Sequence, residues 1–404
     1  MSLLTKPPLG GSGPAPFALL VAMTACGTLG MHVIIPALPS MAGALDMSIS
    51  AAQLTITLYL IGLAAGQLLY GPISDWIGRR PVVLVGLALF TAASVVTVFA
   101  PTPAILIGAR IVQSIGGCAG LVLGRAAVRD GATADKAAAR LALLTLVMSV
   151  VPAIAPAIGG FITAWYGWHA SFVLLSAIGA LTFIACLLRL PETRAPSSVS
   201  RSLVSGYVRL LRSRRFMGYA IGGACTTTAF YGFMSASPFI FERHLGQSPE
   251  RVGLYYLLLM VGVATGSLGA NRIAGRLSVT SALRIANIIG MVGAALFAVA
   301  DLTGQLSVFT VVASVVVFMI GAGMASPFAL AGCVSVNPQA IGAASGLYGF
   351  FQMGYGMLCT IVAETWSPGA VYPIATLLLV STLLGQIAIT IGAVAGRGRE
   401  RAGE

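Results

Sequence analysis

Charge is what this sequence has least of. Only 8% of its 404 residues are Asp, Glu, Lys or Arg, and just 11 of them are acids, against roughly 25% charged residues in a soluble domain. A soluble fold is excluded, because no packed interior hides so much apolar surface. There is no HExxH run for zinc, no GxxxxGKS/T loop for a nucleotide phosphate and no paired carboxylates for acid–base work. Neither an enzyme nor an ATP-driven machine is expected, and neither a metal nor another cofactor. The six cysteines, Cys26, Cys118, Cys186, Cys225, Cys333 and Cys359, have no CxxC spacing and lie in apolar stretches. They read as small buried hydrophobes and not as a disulfide frame or metal ligands.

What the chain has instead is apolar length: 57% hydrophobic residues and a mean hydropathy of +0.95, with 49 glycines and 20 prolines. Apolar runs recur at 17–38, 50–71, 82–100, 103–124, 141–162, 169–189, 216–240, 252–271, 284–301, 306–330, 341–363 and 370–393. Each approximates the roughly 20 residues that carry a helix across a bilayer. A β-barrel would need spans of about ten alternating residues. The expectation is an all-α membrane protein of twelve transmembrane helices. The first run is too long for the apolar part of a secretory signal and is read as the first span.

Orientation follows from the basic residues. Lys6, Arg79, Arg80, Arg125, Arg129, Lys136, Arg140, Arg272, Arg276, Arg284, Arg397, Arg399 and Arg401 fall on one side, with the loop between spans six and seven. The other side holds Arg243 and Arg251, each beside Glu242 or Glu250. By the positive-inside rule both termini are cytoplasmic, which implies an inner-membrane, multi-pass protein. The net charge of +12 is thus a topology signal. The bases are too scattered to hold a nucleic-acid strand, so no nucleic-acid partner is expected. The longest connection, 190–215, divides the chain into a half at 1–190 and a half at 216–404. It is read as a cytoplasmic linker (191–215) with an amphipathic helix at 202–211 lying on the inner leaflet. The halves echo each other: GPISDWIGRR follows span two, and Gly269, Asn271, Arg272, Gly275 and Arg276 follow span eight. Duplication of this kind suits a carrier that faces two sides in turn.

The run GPISDWIGRRP at 71–81 resembles the signature between helices two and three of the major facilitator superfamily. LIGARIVQSIGG at 106–117 and VPAIAPAIGG at 151–160 are similar to the helix-four and helix-five motifs of its proton-driven drug antiporters with twelve spans. IIPALPSM, RAAVRD, WHASF, LPET and SASPFIFERHLGQSPERVGLYY resemble the bicyclomycin/chloramphenicol resistance branch, the Bcr/CflA type. The resemblance implies two pseudo-symmetric six-helix bundles, alternating access and a monomer. It also implies proton-coupled efflux of small drug-like molecules, as in multidrug efflux and antibiotic resistance. The alternative is a carrier of a natural metabolite, an amino acid or sugar, with different or no proton coupling. A non-transporting membrane sensor is the remote third reading.

Site residues are sought on that frame. Gly71 and Gly78 permit a sharp reversal, and Asp75, Arg79 and Arg80 could pair across the seam between halves as a conformational switch; a topogenic turn is the rival. Arg110 lies well inside span four, where a charge must face the protein interior or water. In the resembled antiporters this arginine serves proton coupling. The branch has Asp in span one where this chain has His32, which titrates near neutrality and could carry the proton. A protonated histidine disfavours cationic cargo, so neutral cargo is expected. The other acids, Glu364 among them, belong to span ends and loops. Pro152, Pro156, Gly159 and Gly160 suggest a thin, closely packed hinge between halves. Tyr59, Gln67, Gln113, Tyr231, Ser235, Tyr348 and Gln352 are expected to line the substrate cavity.

Overall fold

Polar caps and glycines decide where the helices begin and end. The Ser48 side chain accepts a hydrogen bond from the Ala51 amide at 3.1 Å, opening α3 (Ile49–Ile77), and Ser278 and Ser307 open α12 (Val279–Leu302) and α13 (Val308–Ser335) in the same way. Gly78 ends α3 with φ of 113°, and Gly275 turns the chain after α11 (Pro249–Ile273) with φ of 78°. Both are left-handed positions that an L side chain resists, and they fall at the two echoing turns seen in the sequence.

The computed structural model describes residues 15–130, 134–193, 203–337, 341–366 and 370–402. It is all helix. α1 (Phe17–His32) passes through a 3-10 turn at Ile35–Ala37 into α2 (Leu38–Ala44), and α3 follows. Next come α4 (Arg79–Val98), α5 (Pro103–Asp130), α6 (Ala134–Tyr166) and α7 (Trp168–Arg189). A short α8 (Leu203–Leu211) precedes α9 (Arg214–Thr228) and α10 (Phe230–Phe239), which ends in a π turn. The last five are α11 (Pro249–Ile273), α12 (Val279–Leu302), α13 (Val308–Ser335), α14 (Ile341–Thr365) and α15 (Tyr372–Ala402).

Two bundles result, one from α1 and α3–α7 and one from α9–α15, and they meet along α3 with α14 and along α6 with α11. Their outward faces carry large exposed apolar side chains such as Val85, Leu181, Leu188, Val261, Leu302 and Ile391, which suits a lipid surroundings and not water.

Among the described residues, 10 helical stretches are long and apolar enough to cross a membrane. Of the two other expected spans, that at 216–240 is broken between Thr228 and Phe230, and that at 141–162 lies within the single helix α6. The amphipathic helix of the linker is present as α8, but its Leu210 is buried and its Tyr207 packs on the core of the second bundle. On the same helix Val208 and Leu211 stay exposed at 41% and 45%. The PSSVS part of the linker and Lys6 fall outside the described residues.

Candidate functional site

Arg110 is the largest fully buried side chain. It rises from α5 into the interior of the first bundle, where its Nη1 donates to the carbonyl of Gly30 at 2.7 Å and to Oε1 of Gln113. Its guanidinium lies 4.2 Å above the Tyr59 ring and 5.9 Å from that of Phe172. Gln113 passes the network on, donating from Nε2 to Ser94 at 2.6 Å, and Tyr59 donates to the Gly27 carbonyl at 2.8 Å. Nε and Nη2 of Arg110 have no hydrogen-bond partner. The cation is held by a π face and neutral oxygens, with no carboxylate against it among the described residues.

This cluster corrects two expectations. Tyr59 and Gln113 do not line a cavity between the bundles; both are fully buried as partners of Arg110. His32, near the end of α1, is buried with its Nδ1 donating to the Thr28 carbonyl at 2.8 Å. It shares α1 with Gly30 but makes no hydrogen bond to Arg110.

Four of the cavity candidates do converge, on the middle of α14. Gln67 from α3 lies against Gly349, and Tyr231 from α10 against Gly356. Gln352 donates to Thr227 of α9 at 3.0 Å, and Tyr348 packs on Gly223 one turn earlier in the same helix. Ser235 is buried and bonded to the Gly232 carbonyl of its own helix at 3.0 Å, which is an internal bond and not a cavity contact.

The signature at 71–81 is tied into its own bundle. Arg79 pairs with Asp75 at 2.7 Å and with Asp130 at 3.1 Å, and also donates to Ser74. Arg80 donates to the Leu187 carbonyl at 2.9 Å. The Glu192 carboxylate accepts the amides of Arg79 and Arg80 at 2.8 and 3.1 Å, capping the positive end of α4. The expected ion-pair contact across the seam is therefore absent among the described residues. What approaches Asp75 from the second bundle's side is Tyr207 of α8, whose phenol is held above its ordinary value by burial and then by the Asp75 charge. Gly71 does not make the reversal expected of it: it lies inside α3 with open space around it, and the turn is made at Gly78.

In the helix-five motif the two glycines face different ways. A Cβ on Gly160 would stand 2.5 Å from the Pro249 carbonyl oxygen of α11, and one on Gly253 2.6 Å from the Pro156 oxygen. This is a backbone-to-backbone contact between bundles. Gly159 instead meets Val33, beside His32 in its own bundle. Pro152 and Pro156 both lie inside α6.

Two polar groups were not anticipated. Asn287 of α12 is fully buried, accepting from Thr226 at 2.7 Å and donating to the Thr382 carbonyl at 2.8 Å and to Gln386 at 3.0 Å. Glu364, assigned from the sequence to a span end, is in the last turn of α14 but only 4% exposed. Its carboxylate is bonded to Thr57 of α3 across the seam.

Residues 20–360 match the sequence profile of the Major Facilitator Superfamily. The chain is 30% identical to multidrug resistance protein D of Escherichia coli (strain K12), covering 92% of this chain and 93% of that one. It is 29% identical to a chloramphenicol resistance protein of Pseudomonas aeruginosa, covering 92% and 88%. Among solved structures, a D-xylose-proton symporter superposes with a TM-score of 0.73 at 15% identity, covering 93% of this chain and 96% of that one.

Proposed function

Because the chain belongs to the Major Facilitator Superfamily, and so among transporters and not enzymes, we propose that it is a proton-coupled exporter of small, neutral, drug-like molecules of the phenicol or bicyclomycin type. It crosses a bacterial inner membrane twelve times with both termini in the cytoplasm. It works as a monomer whose halves, 1–190 and 216–404, rock about a central site, with 191–215 as the link.

The observation that carries this reading is Arg110, a cation buried in a membrane bundle without a carboxylate partner among the described residues. Such a charge is expensive unless it is used. In the proposed cycle Arg110 responds to the proton, with His32 as its carrier in place of the family's acid. The contact of Gly160 with Pro249 is the hinge. The segment Gly71–Arg80 acts as the switch through Asp75 and Tyr207. Cargo is met where Gln67, Tyr231, Tyr348 and Gln352 gather on α14; aromatic rings and amides without a formal charge favour an uncharged molecule. The relatedness to resistance proteins supports efflux.

The test is proton release from energised inverted vesicles on adding chloramphenicol or bicyclomycin. Release that His32→Ala abolishes and His32→Asp restores is the expected result. Cargo movement without a proton signal would overturn the coupling, and no movement of either compound would leave the metabolite reading in front.

A further inference from the structure

At the seam between α3 and α14 the two helices run antiparallel, and one polar cluster joins them. Thr57 Oγ1 contacts a carboxylate oxygen of Glu364, lies 2.7 Å from Thr360 Oγ1 and 3.5 Å from the Gln53 carbonyl. Thr360 in turn reaches the Met357 carbonyl at 2.8 Å, and Ser50 donates to the backbone carbonyl of Glu364 at 3.0 Å. Gln53, one turn from Thr57, is fully buried with neither amide atom hydrogen-bonded.

Each hydroxyl owns one proton, so the chain has only two fully bonded arrangements. With Glu364 ionised, Thr360 donates to Thr57 and Thr57 donates to the carboxylate. With Glu364 neutral, its own proton goes to Thr57, Thr57 donates to Thr360, and Thr360 donates to the Met357 carbonyl. The cluster therefore accommodates both states of the acid by reversing the direction of its hydrogen bonds. No heavy atom has to move.

The two arrangements are not equivalent when the seam is closed. The ionised form buries a charge against a single neutral donor, which leaves most of its hydration unreplaced. The ion pairs at Arg79, with Asp75 and Asp130, do not involve Glu364. Of the ionisable side chains on helices packed against α14, Tyr59 bonds Gly27, Asp75 pairs with Arg79, and Tyr219 bonds Thr280. Tyr231 lies against Gly356, and Tyr372 meets Trp366 edge-on. None of these reaches Glu364.

We propose that Glu364 is a proton-binding residue that locks the outer seam: the α3–α14 contact closes on the neutral acid, and opening it to the outer side frees the carboxylate to ionise. The assignment of this end as the outer one rests on the topology proposed above. The Thr57–Thr360 pair is the positioning element, because it alone supplies a partner to either protonation state.

The test uses the full-length protein with spin labels at Ser48→Cys and Thr303→Cys, two exposed positions on opposite bundles at this end; the six native cysteines are buried. The distance between labels is followed against pH without cargo, so it does not depend on what is transported or on whether transport is proton-coupled. Wild type is expected to lengthen with rising pH through a single midpoint. Glu364→Gln, a permanent stand-in for the neutral acid, is expected to stay short at every pH. Should that variant fail to fold, Thr57→Ala keeps the acid, removes its partner and is expected to move the midpoint. A pH-independent wild-type distance, or a midpoint unchanged in both variants, overturns the proposal. A failed vesicle assay beside a normal midpoint would overturn only the coupled-efflux reading.

Discussion

Nη1 of Arg110 and the carbonyl oxygen of Gly30 are 2.7 Å apart, so a cation from α5 is fastened to the backbone of α1 just before that helix gives way to its 3-10 turn. The bond needs a flat guanidinium, because the same group must lie over Tyr59 at 4.2 Å while it reaches Gly30 and Gln113.

Arg110→Lys is therefore not a mild change. An ammonium keeps the charge but loses the planar stack, a desolvated contact worth about 2 kcal/mol. Cargo-dependent proton release is expected to fall by at least about tenfold, for which about 1.4 kcal/mol suffices. Release at the wild-type rate would show that the stack has no part in transport.

At the seam of α6 and α11, Gly160→Ala and Gly253→Ala should each force backbones apart. Overpacking of this kind costs about 1–3 kcal/mol, and here it falls on a contact between bundles. Cross-linking between cysteines placed on α6 and α11 is the measurement. The variants should fold, by gel filtration, yet cross-link more slowly than wild type. Gly71→Ala, with open space around it, should behave as wild type in the same assay.

Removing the cap of α4 by Glu192→Ala is expected to lower stability by about 1 kcal/mol, the usual worth of a helix N-terminal cap. Thermal unfolding in detergent would register it as a lower midpoint. Glu192→Asp, one methylene shorter, should lose part of that effect because two amides must be reached at once.

Asp75→Asn should disturb stability little. The pair with Arg79 spans the turn at Gly78 and its carboxylate is 42% exposed, a class of contact worth about 0.2–1 kcal/mol, and Asp130 and Ser74 still hold the arginine. Its larger effect is expected on Tyr207, whose fluorescence titration should shift to lower pH once the neighbouring charge is gone. An unmoved titration would separate α8 from the signature turn.

Much of the architecture was legible because apolar length and loop charge report directly on a bilayer, and the depth of Arg110 within its span required an interior position. Helical phase was the weaker guide. Tyr59 and Gln67 are eight residues apart, which leaves about 80° between them at about 100° per residue. On a helix packed on two sides that is enough to send Tyr59 to Arg110 and Gln67 to α14. Glu364 escaped notice because an acid in the last turn of a span reads as solvated. A signal was present nonetheless: Gly342, Gly346, Gly349, Thr360 and Glu364 fall within about 60° of one another around α14, a stripe of small and polar residues interrupted by Met353, and Gly346, Gly349, Thr360 and Glu364 on it meet α3. The linker helix was recognised by its pattern, but an amphipathic pattern does not say whether lipid or protein covers the apolar face.

The cap that Glu192 places on Arg79 spans 113 residues of chain. During synthesis at about 5–20 residues per second, the start of α4 waits between about 6 and 23 s for the carboxylate that completes it. A ribosome stalled or a chain cut before that point would leave the first bundle inserted but unfinished at this corner. The opening residues of the connection thus behave, in biogenesis, as the closing piece of the bundle made before them.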